Sequence, residues 1–229
     1  GAGCTHAVIE VTSEGVAQHR HWGIAFDIAV FSNLSREHIE SHGSYESYRA
    51  AKLAIFRGLR RSHRKTINNK EIKKVIVANA EDAEAAQFLK FKADEKWSVS
   101  RDPSCVPVLK DAPEKHVCVD GVKDAERGAA LSLEGRYIQL PFHGAFMAAN
   151  ALLAIAVGRA LGIPLATCES ALENMEPIPG RVEMFKTKTG TTVIIDYAHE
   201  PRSFEAILAL GRSLAKKNRV ISVFGATGG

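Results

Sequence analysis

The sequence predicts an α/β fold, a mostly parallel sheet flanked by helices, followed by the start of a second, Rossmann-like unit. Three observations predict it. Short apolar runs alternate with helical patterns through the first half of the chain, the signature of parallel strands joined by crossover helices. One later segment, Phe146–Leu161, is almost wholly apolar and calls for a helix buried against such a sheet. A proline-rich joint, Pro177-Ile178-Pro179-Gly180, then precedes a fresh strand–helix–strand pattern.

Taken in order, Ala7-Val8-Ile9-Glu10-Val11 reads as a buried strand with a carboxylate near its C-terminal end. Asp27–Phe31 is a second strand, closing on the polar turn Ser32-Asn33-Leu34-Ser35. A helix is expected from about Ser44 to Leu59, with Ser44 as N-cap. Val75–Ala78 is a third strand and Asp82–Phe91 a helix. Between Val117 and Pro141 short alternating runs separated by glycines and charges suggest antiparallel strands. The apolar helix stops at Gly162-Ile163-Pro164. Beyond the joint come strand Thr192–Asp196, helix Ser203–Lys216 and strand Arg219–Phe224, so the expected division is residues 1–179 and 180–229.

The 229 residues are 45% hydrophobic and 24% charged, ordinary globular composition. The longest apolar stretch, Ala145–Val157, is too short to span a bilayer, and no charged leader precedes it. Neither a membrane span nor a signal peptide is expected. Cys4, Cys105, Cys118 and Cys168 form no C-x-x-C pair and read as reduced thiols in a cytoplasmic protein. Net charge is +4, with much of it in one run from Arg57 to Lys74. That run is either a solvated helix end and loop or an attractor for an anionic substrate or nucleic acid. No aromatic interleaving or nucleic-acid motif accompanies it, which disfavours nucleic acid. The chain opens without Met and closes on Gly225-Ala226-Thr227-Gly228-Gly229, so a truncated piece is expected.

Lys52 is the most telling residue. On its helix Tyr48, Ala51, Ile55 and Leu59 recur at helical spacing, and Lys52 falls on that face. It either snorkels to water or is buried, and burial favours the neutral amine. A neutral amine can take up carbon dioxide as a carbamate, an anionic ligand for magnesium. Glu10, at a strand end where parallel sheets place their ligands, and His38, just after the second strand, would complete a set of oxygen and nitrogen donors.

The stretch Phe31–Lys52, FSNLSREHIESHGSYESYRAAK, closely resembles the signature segment of the Mur ligases, most of all those that add the third peptide residue. Glu10-Val11-Thr12-Ser13 with Gly15, Gln18 and Arg20 resembles the segment before it. Gly180-Arg181-Val182-Glu183 and Asp196-Tyr197-Ala198-His199-Glu200-Pro201 resemble the joint into that family's C-terminal domain. The matches fall in the family's order and span nearly the whole chain.

The resemblance implies an ATP- and Mg2+-dependent amide ligase of peptidoglycan precursor synthesis, cytoplasmic and monomeric. It would join a diamino acid to a UDP-MurNAc-dipeptide through an acyl phosphate, with no nucleic-acid or membrane partner. Glu10 and His38 would be metal ligands, and Lys52 the carbamylated lysine that orders the metal and the γ-phosphate, so that Lys52 and His38 carry the catalysis. Thr12, Ser13, Gln18 and Arg20 would contact the UDP-muramoyl peptide. Asn150, Arg181, Asp196, Tyr197 and His199 would surround ATP. Each has a plainer role open to it: Glu10 as a cap, Arg20 and Arg181 in surface ion pairs, His199 as a loop histidine, Asn150 satisfied within its helix.

The sequence also departs from the family pattern. Thr12 stands for a usual serine, and Met147 for the first of two adenine-site asparagines. No Gly-Lys pair of a phosphate loop occurs in the chain, so the fragment itself is expected to be inactive. Other ligases of the superfamily, of the cyanophycin synthetase or folylpolyglutamate synthase type, and a non-catalytic binding paralogue remain alternatives. A carbamylated-lysine metallohydrolase is disfavoured, since no multiple-histidine cluster is present.

Overall fold

The computed structural model describes residues 3–35, 42–102, 104, 114–125 and 128–225. Four parallel strands, β1 (Ile28–Phe31), β4 (Val75–Asn79), β5 (Glu95–Ser100) and β6 (Glu114–Cys118), form the main sheet in the order β1-β4-β5-β6. Helix α2 (Tyr45–Leu59) connects β1 towards β4, and the short α3 (Ala85–Leu89) connects β4 to β5. Ser44 caps α2, accepting the Ser47 N–H at 3.1 Å.

β4 shows why the sheet is covered on both faces. Successive side chains point to opposite sides. Val75 and Val77 enter a cluster with Trp97, Val99, Val117 and helix α4 (Ala145–Ala160). Ile76 and Ala78 enter another with Phe31, Tyr48, Phe56 and Phe88. A strand buried on both faces reads as a continuous apolar run, and Val75-Ile76-Val77-Ala78 does. β5 does not. Its sequence EKWSVS puts Trp97 and Val99 on one face and the fully buried Ser98 and Ser100 on the other. Ser98 Oγ lies 2.7 Å from His116 Nδ1, and Ser100 Oγ bonds to the Asp102 carbonyl, so the serines are satisfied inside the sheet.

A three-stranded antiparallel sheet, β7 (Gly121–Ala125), β8 (Gly128–Leu133) and β9 (Arg136–Gln139), packs on α4. The antiparallel expectation holds for this sheet, but the first apolar run of the region belongs to β6, which is parallel to β5. Gly128, at φ +134°, is required: a Cβ there would lie 2.1 Å from the Leu140 carbonyl. Between α2 and β4 a small hairpin, β2 (Thr66–Ile67) and β3 (Lys70–Glu71), turns on Asn68 and Asn69, both at positive φ.

Much of the Arg57–Lys74 run lies at the amino ends of the strands and is taken up by ion pairs. Arg60 and Arg64 reach Asp94 at 2.5 and 2.7 Å, Lys65 reaches Asp27 at 2.5 Å and Lys73 reaches Glu95 at 2.6 Å. Lys74 is fully buried and donates to the Phe26 and His63 carbonyls at 2.6 and 2.9 Å. These five cations therefore knit the base of the sheet.

Past α4 come α5 (Leu165–Glu173), the antiparallel pair β10 (Glu183–Lys186) and β11 (Thr192–Ile195), and α6 (Pro201–Ala215). Two expected strands are absent from the ladders. Residues 7–11 pair with no strand among the described residues, and Val8 is fully exposed. Residues 219–224 are likewise unpaired, with Val223 93% exposed. Apolar alternation supplies the side chains of a strand; only a neighbouring backbone makes it one. No helix among the described residues is long and apolar enough to cross a membrane.

Candidate active site

Ligands in parallel α/β sheets sit beyond the carboxyl ends of the strands. Here those ends run into Ser32–Ser35 after β1, Ala80–Glu84 after β4 and Arg101-Asp102 after β5. The first two exits meet at Asp82. Its buried carboxylate accepts the Leu34 N–H at 3.0 Å and the Glu84 N–H at 2.9 Å, so one side chain fixes both loops. Glu81 takes a forked hydrogen bond from Arg101, whose Nε lies 3.0 and 3.1 Å from the two carboxylate oxygens. The Arg101 guanidinium holds the Glu81 carboxyl below its ordinary pKa, and Glu81 raises that of Arg101. Arg101 also donates to the Ala145 carbonyl at 2.9 Å, tying the start of α4 to this cluster. Glu84 accepts from Arg49 at 3.2 Å and from the Tyr45 hydroxyl at 3.1 Å; burial, then Glu84, pushes the Tyr45 phenol up.

A pocket of about 540 Å3 opens over this cluster, walled by Leu34, Tyr45, Glu81, Asp82, Glu84 and, from the first turn of α6, Arg202. Arg202 Nη1 approaches Asp82 at 3.9 Å. Sequence reasoning missed these residues, although a signal existed: Glu81-Asp82-Ala83-Glu84 puts three carboxylates directly after a strand, the same placement that singled out Glu10.

The sequence-predicted residues fall into three places. Thr12, Ser13, Gln18 and Arg20 gather on the short helix α1 (Ser13–Ala17) and its exit. Thr12 is the N-cap, accepting the Gly15 N–H at 3.0 Å; Gln18 is the C-cap; the Arg20 N–H closes on the Gly15 carbonyl at 2.8 Å. Ser13 is buried, with its hydroxyl 3.0 Å from His42 Nε2, while Thr12, Gln18 and Arg20 are exposed. Glu10 is exposed in the segment before α1. Lys52 is half-buried at the margin of the apolar face of α2, with Nζ 5.2 Å from the Tyr48 ring centre. The buried face is Tyr48, Leu53, Phe56 and Leu59, so Ala51 and Ile55 flank it rather than forming it. His38 lies outside the described residues.

The third place is the joint. Asp196 binds it together, accepting the Val182 N–H at 2.9 Å and the Ala198 N–H at 2.8 Å. This brings Arg181 over the Tyr197 ring at 5.2 Å and Tyr197 edge-on to His199 at 5.1 Å. His199 Nδ1 lies 2.9 Å from the Tyr197 carbonyl. Arg181, Tyr197 and His199 thus form one exposed cationic and aromatic surface. Asn150 is exposed on α4, its Nδ2 4.0 Å from Met147 Sδ, and so is not enclosed in an apolar helix as the sequence suggests.

Comparison with known proteins decides the family. The Mur ligase middle domain matches residues 1–158, and the Mur ligase glutamate ligase domain matches residues 180–229. The chain belongs to the Mur ligase family. A UDP-N-acetylmuramyl-tripeptide synthetase of Roseiflexus sp. (strain RS-1) is 35% identical across 99% of this chain and 44% of its own length. A UDP-N-acetylmuramoyl-L-alanyl-D-glutamate–2,6-diaminopimelate ligase of Thermosynechococcus vestitus is 31% identical across 99% of this chain and 43% of its own. A solved structure of a ligase with that latter name superposes with a TM-score of 0.62 at 25% identity, over 87% of this chain and 38% of that one. The chain therefore spans less than half the length of the Mur ligases it matches, and its α/β sheet is theirs.

Proposed function

We propose that this chain is the central part, with the opening of the C-terminal domain, of an ATP-dependent ligase that adds a diamino acid to a UDP-MurNAc-dipeptide in the cytoplasm. The observation that carries this reading is 35% and 31% identity to two tripeptide-forming ligases along 99% of the chain. The domain division at residues 179–180 follows the joint stapled by Asp196.

In this reading the terminal carboxylate of the dipeptide attacks the γ-phosphorus of ATP, giving an acyl phosphate and ADP. The amine of the diamino acid then attacks the acyl carbon, phosphate leaves with the bonding pair, and the amine loses a proton. The chemistry rests on positioning and charge stabilisation. Thr12, Gln18 and Arg20 hold the anionic UDP-muramoyl peptide from α1. Arg181, Tyr197 and His199 offer a guanidinium and flat rings to ATP, with Asn150 on α4. Asp196 acts by holding that surface together, since both its oxygens already accept backbone N–H groups.

Magnesium, when bound, neutralises phosphate charge. Glu10, His38 and Lys52 would hold it, and the donor chemistry sets a condition. An ammonium has no lone pair, so Lys52 fits a hard dication only as a carbamate, which supplies oxygen. Lys52→Ala in the complete gene product should therefore lower ATP-dependent ligation by about 10²–10³-fold, the usual scale for removing one element of charge stabilisation. Small carboxylates should restore part of it. Ordinary turnover in that variant would remove the carbamate, and no ligation by the unsubstituted protein would remove the ligase reading altogether.

A further inference from the structure

Ser13, which the family resemblance would set against the UDP-muramoyl peptide, is buried and spends its hydroxyl on His42 instead. α1 has five residues, too few to be stable alone. It is held by its Thr12 cap, by the buried Val16, and by the hydrogen bond between Ser13 Oγ and His42 Nε2 at 3.0 Å. Ser13 is 4% exposed, so its hydroxyl is turned inward while Thr12, Gln18 and Arg20 on the same short element face solvent. His42 stands just before α2 and is itself backed by a fixed ring: its centre lies 5.6 Å from that of Tyr48, which is 2% exposed. The bond therefore joins α1 to a rigid wall across 29 residues of chain.

We propose that His42 is a positioning residue which, through Ser13, pins α1 and so fixes the geometry of Thr12, Gln18 and Arg20 towards an anionic nucleotide-linked peptide. This rests on the reading of those three residues as substrate contacts given above. Ser13 then acts as the inward anchor of the element, and the exposed side chains around it as the reading surface. Losing the bond loosens α1, so it weakens substrate capture and leaves the chemical step alone.

Two measurements test this. In the chain itself, amide hydrogen exchange reads the pinning at Val16, Gln18 and Arg20, whose N–H groups bond to Thr12, Glu14 and Gly15 carbonyls. His42→Ala and Ser13→Ala should each speed these amides about tenfold, the scale of one net hydrogen bond, with α2 amides unchanged. The double variant should exchange no faster than either single one, and His42→Gln, which keeps an N–H near Nε2, should stay within about threefold of the parent. Unchanged exchange, or multiplying effects in the double variant, overturns the pinning. If His42→Ala does not fold, Ser13→Ala, which removes one hydroxyl, decides. In the complete gene product the same variants should raise KM for UDP-MurNAc-dipeptide about tenfold, with kcat and KM for ATP unchanged. A fall in kcat at constant KM overturns the assignment to substrate positioning. A gene product with no ligation at all defeats the functional reading instead, and the exchange result still decides the pinning.

Discussion

Glu95 shows how one side chain sets a measurable property far from the candidate site. It accepts Lys73 at 2.6 Å and Lys115 at 2.9 Å, and these hydrogen bonds lower its pKa to about 2 against an ordinary 4.5. A carboxylate depressed in the folded state contributes stability above its unfolded pKa and loses it as pH falls through the folded one. Stability should therefore decline between about pH 4.5 and 2, and Glu95→Gln should flatten that decline in thermal melts. Both lysines are more than half exposed, so high salt should flatten it as well. The sequence displayed these charges only as a basic run. That Arg60, Arg64, Lys65, Lys73 and Lys74 each have a carboxylate partner could not be read from it, because Asp27, Asp94 and Glu95 reach them from two different strand starts.

Among the elements, α4 was the most legible and its neighbour α5 the least. Sixteen residues of almost wholly apolar sequence announced α4, whereas α5, LATCESALE, carries too few apolar residues to stand out. The pair packs in one apolar cluster and approaches closely at one point: a Cβ on Gly158 would lie 2.7 Å from Cys168 Sγ. Gly158→Ala gains helix propensity but meets a buried sulfur that has one rotatable bond, so it should destabilise by about 1–2 kcal/mol in urea unfolding. Cys168→Ala should restore more than half of that in the double variant, by removing the clashing atom. β5 was missed for the opposite reason. Its buried serines look solvent-facing in sequence, and only their partners, His116 for Ser98 and the Asp102 carbonyl for Ser100, make them interior residues.

For the whole molecule, the turn at Asp82 is where the sheet meets the C-terminal unit, and its two contacts there differ in weight. Arg202 is 67% exposed and 3.9 Å away, so Arg202→Ala should change unfolding free energy by less than about 0.5 kcal/mol. Asp82→Ala leaves the Leu34 and Glu84 N–H groups without their acceptor in a buried site and should cost about 2 kcal/mol. Equal losses in the two variants would mean that the Arg202 pair, not the loop staple, holds this corner.

By itself the sequence determined the alternation of strands and helices, the cap at Ser44, the joint before Gly180, and a family signature dense enough to propose roles for Glu10, His38 and Lys52. These are local properties: periodicity, turn chemistry and ordered motifs survive in one dimension. Only the tertiary structure decided that Ser13 turns inward to His42, that Glu81, Asp82 and Glu84 line the crevice, and that residues 7–11 join no ladder among the described residues. Each of those depends on which backbone or side chain arrives from elsewhere in the chain, and burial and hydrogen-bond satisfaction are properties of that meeting rather than of the residue.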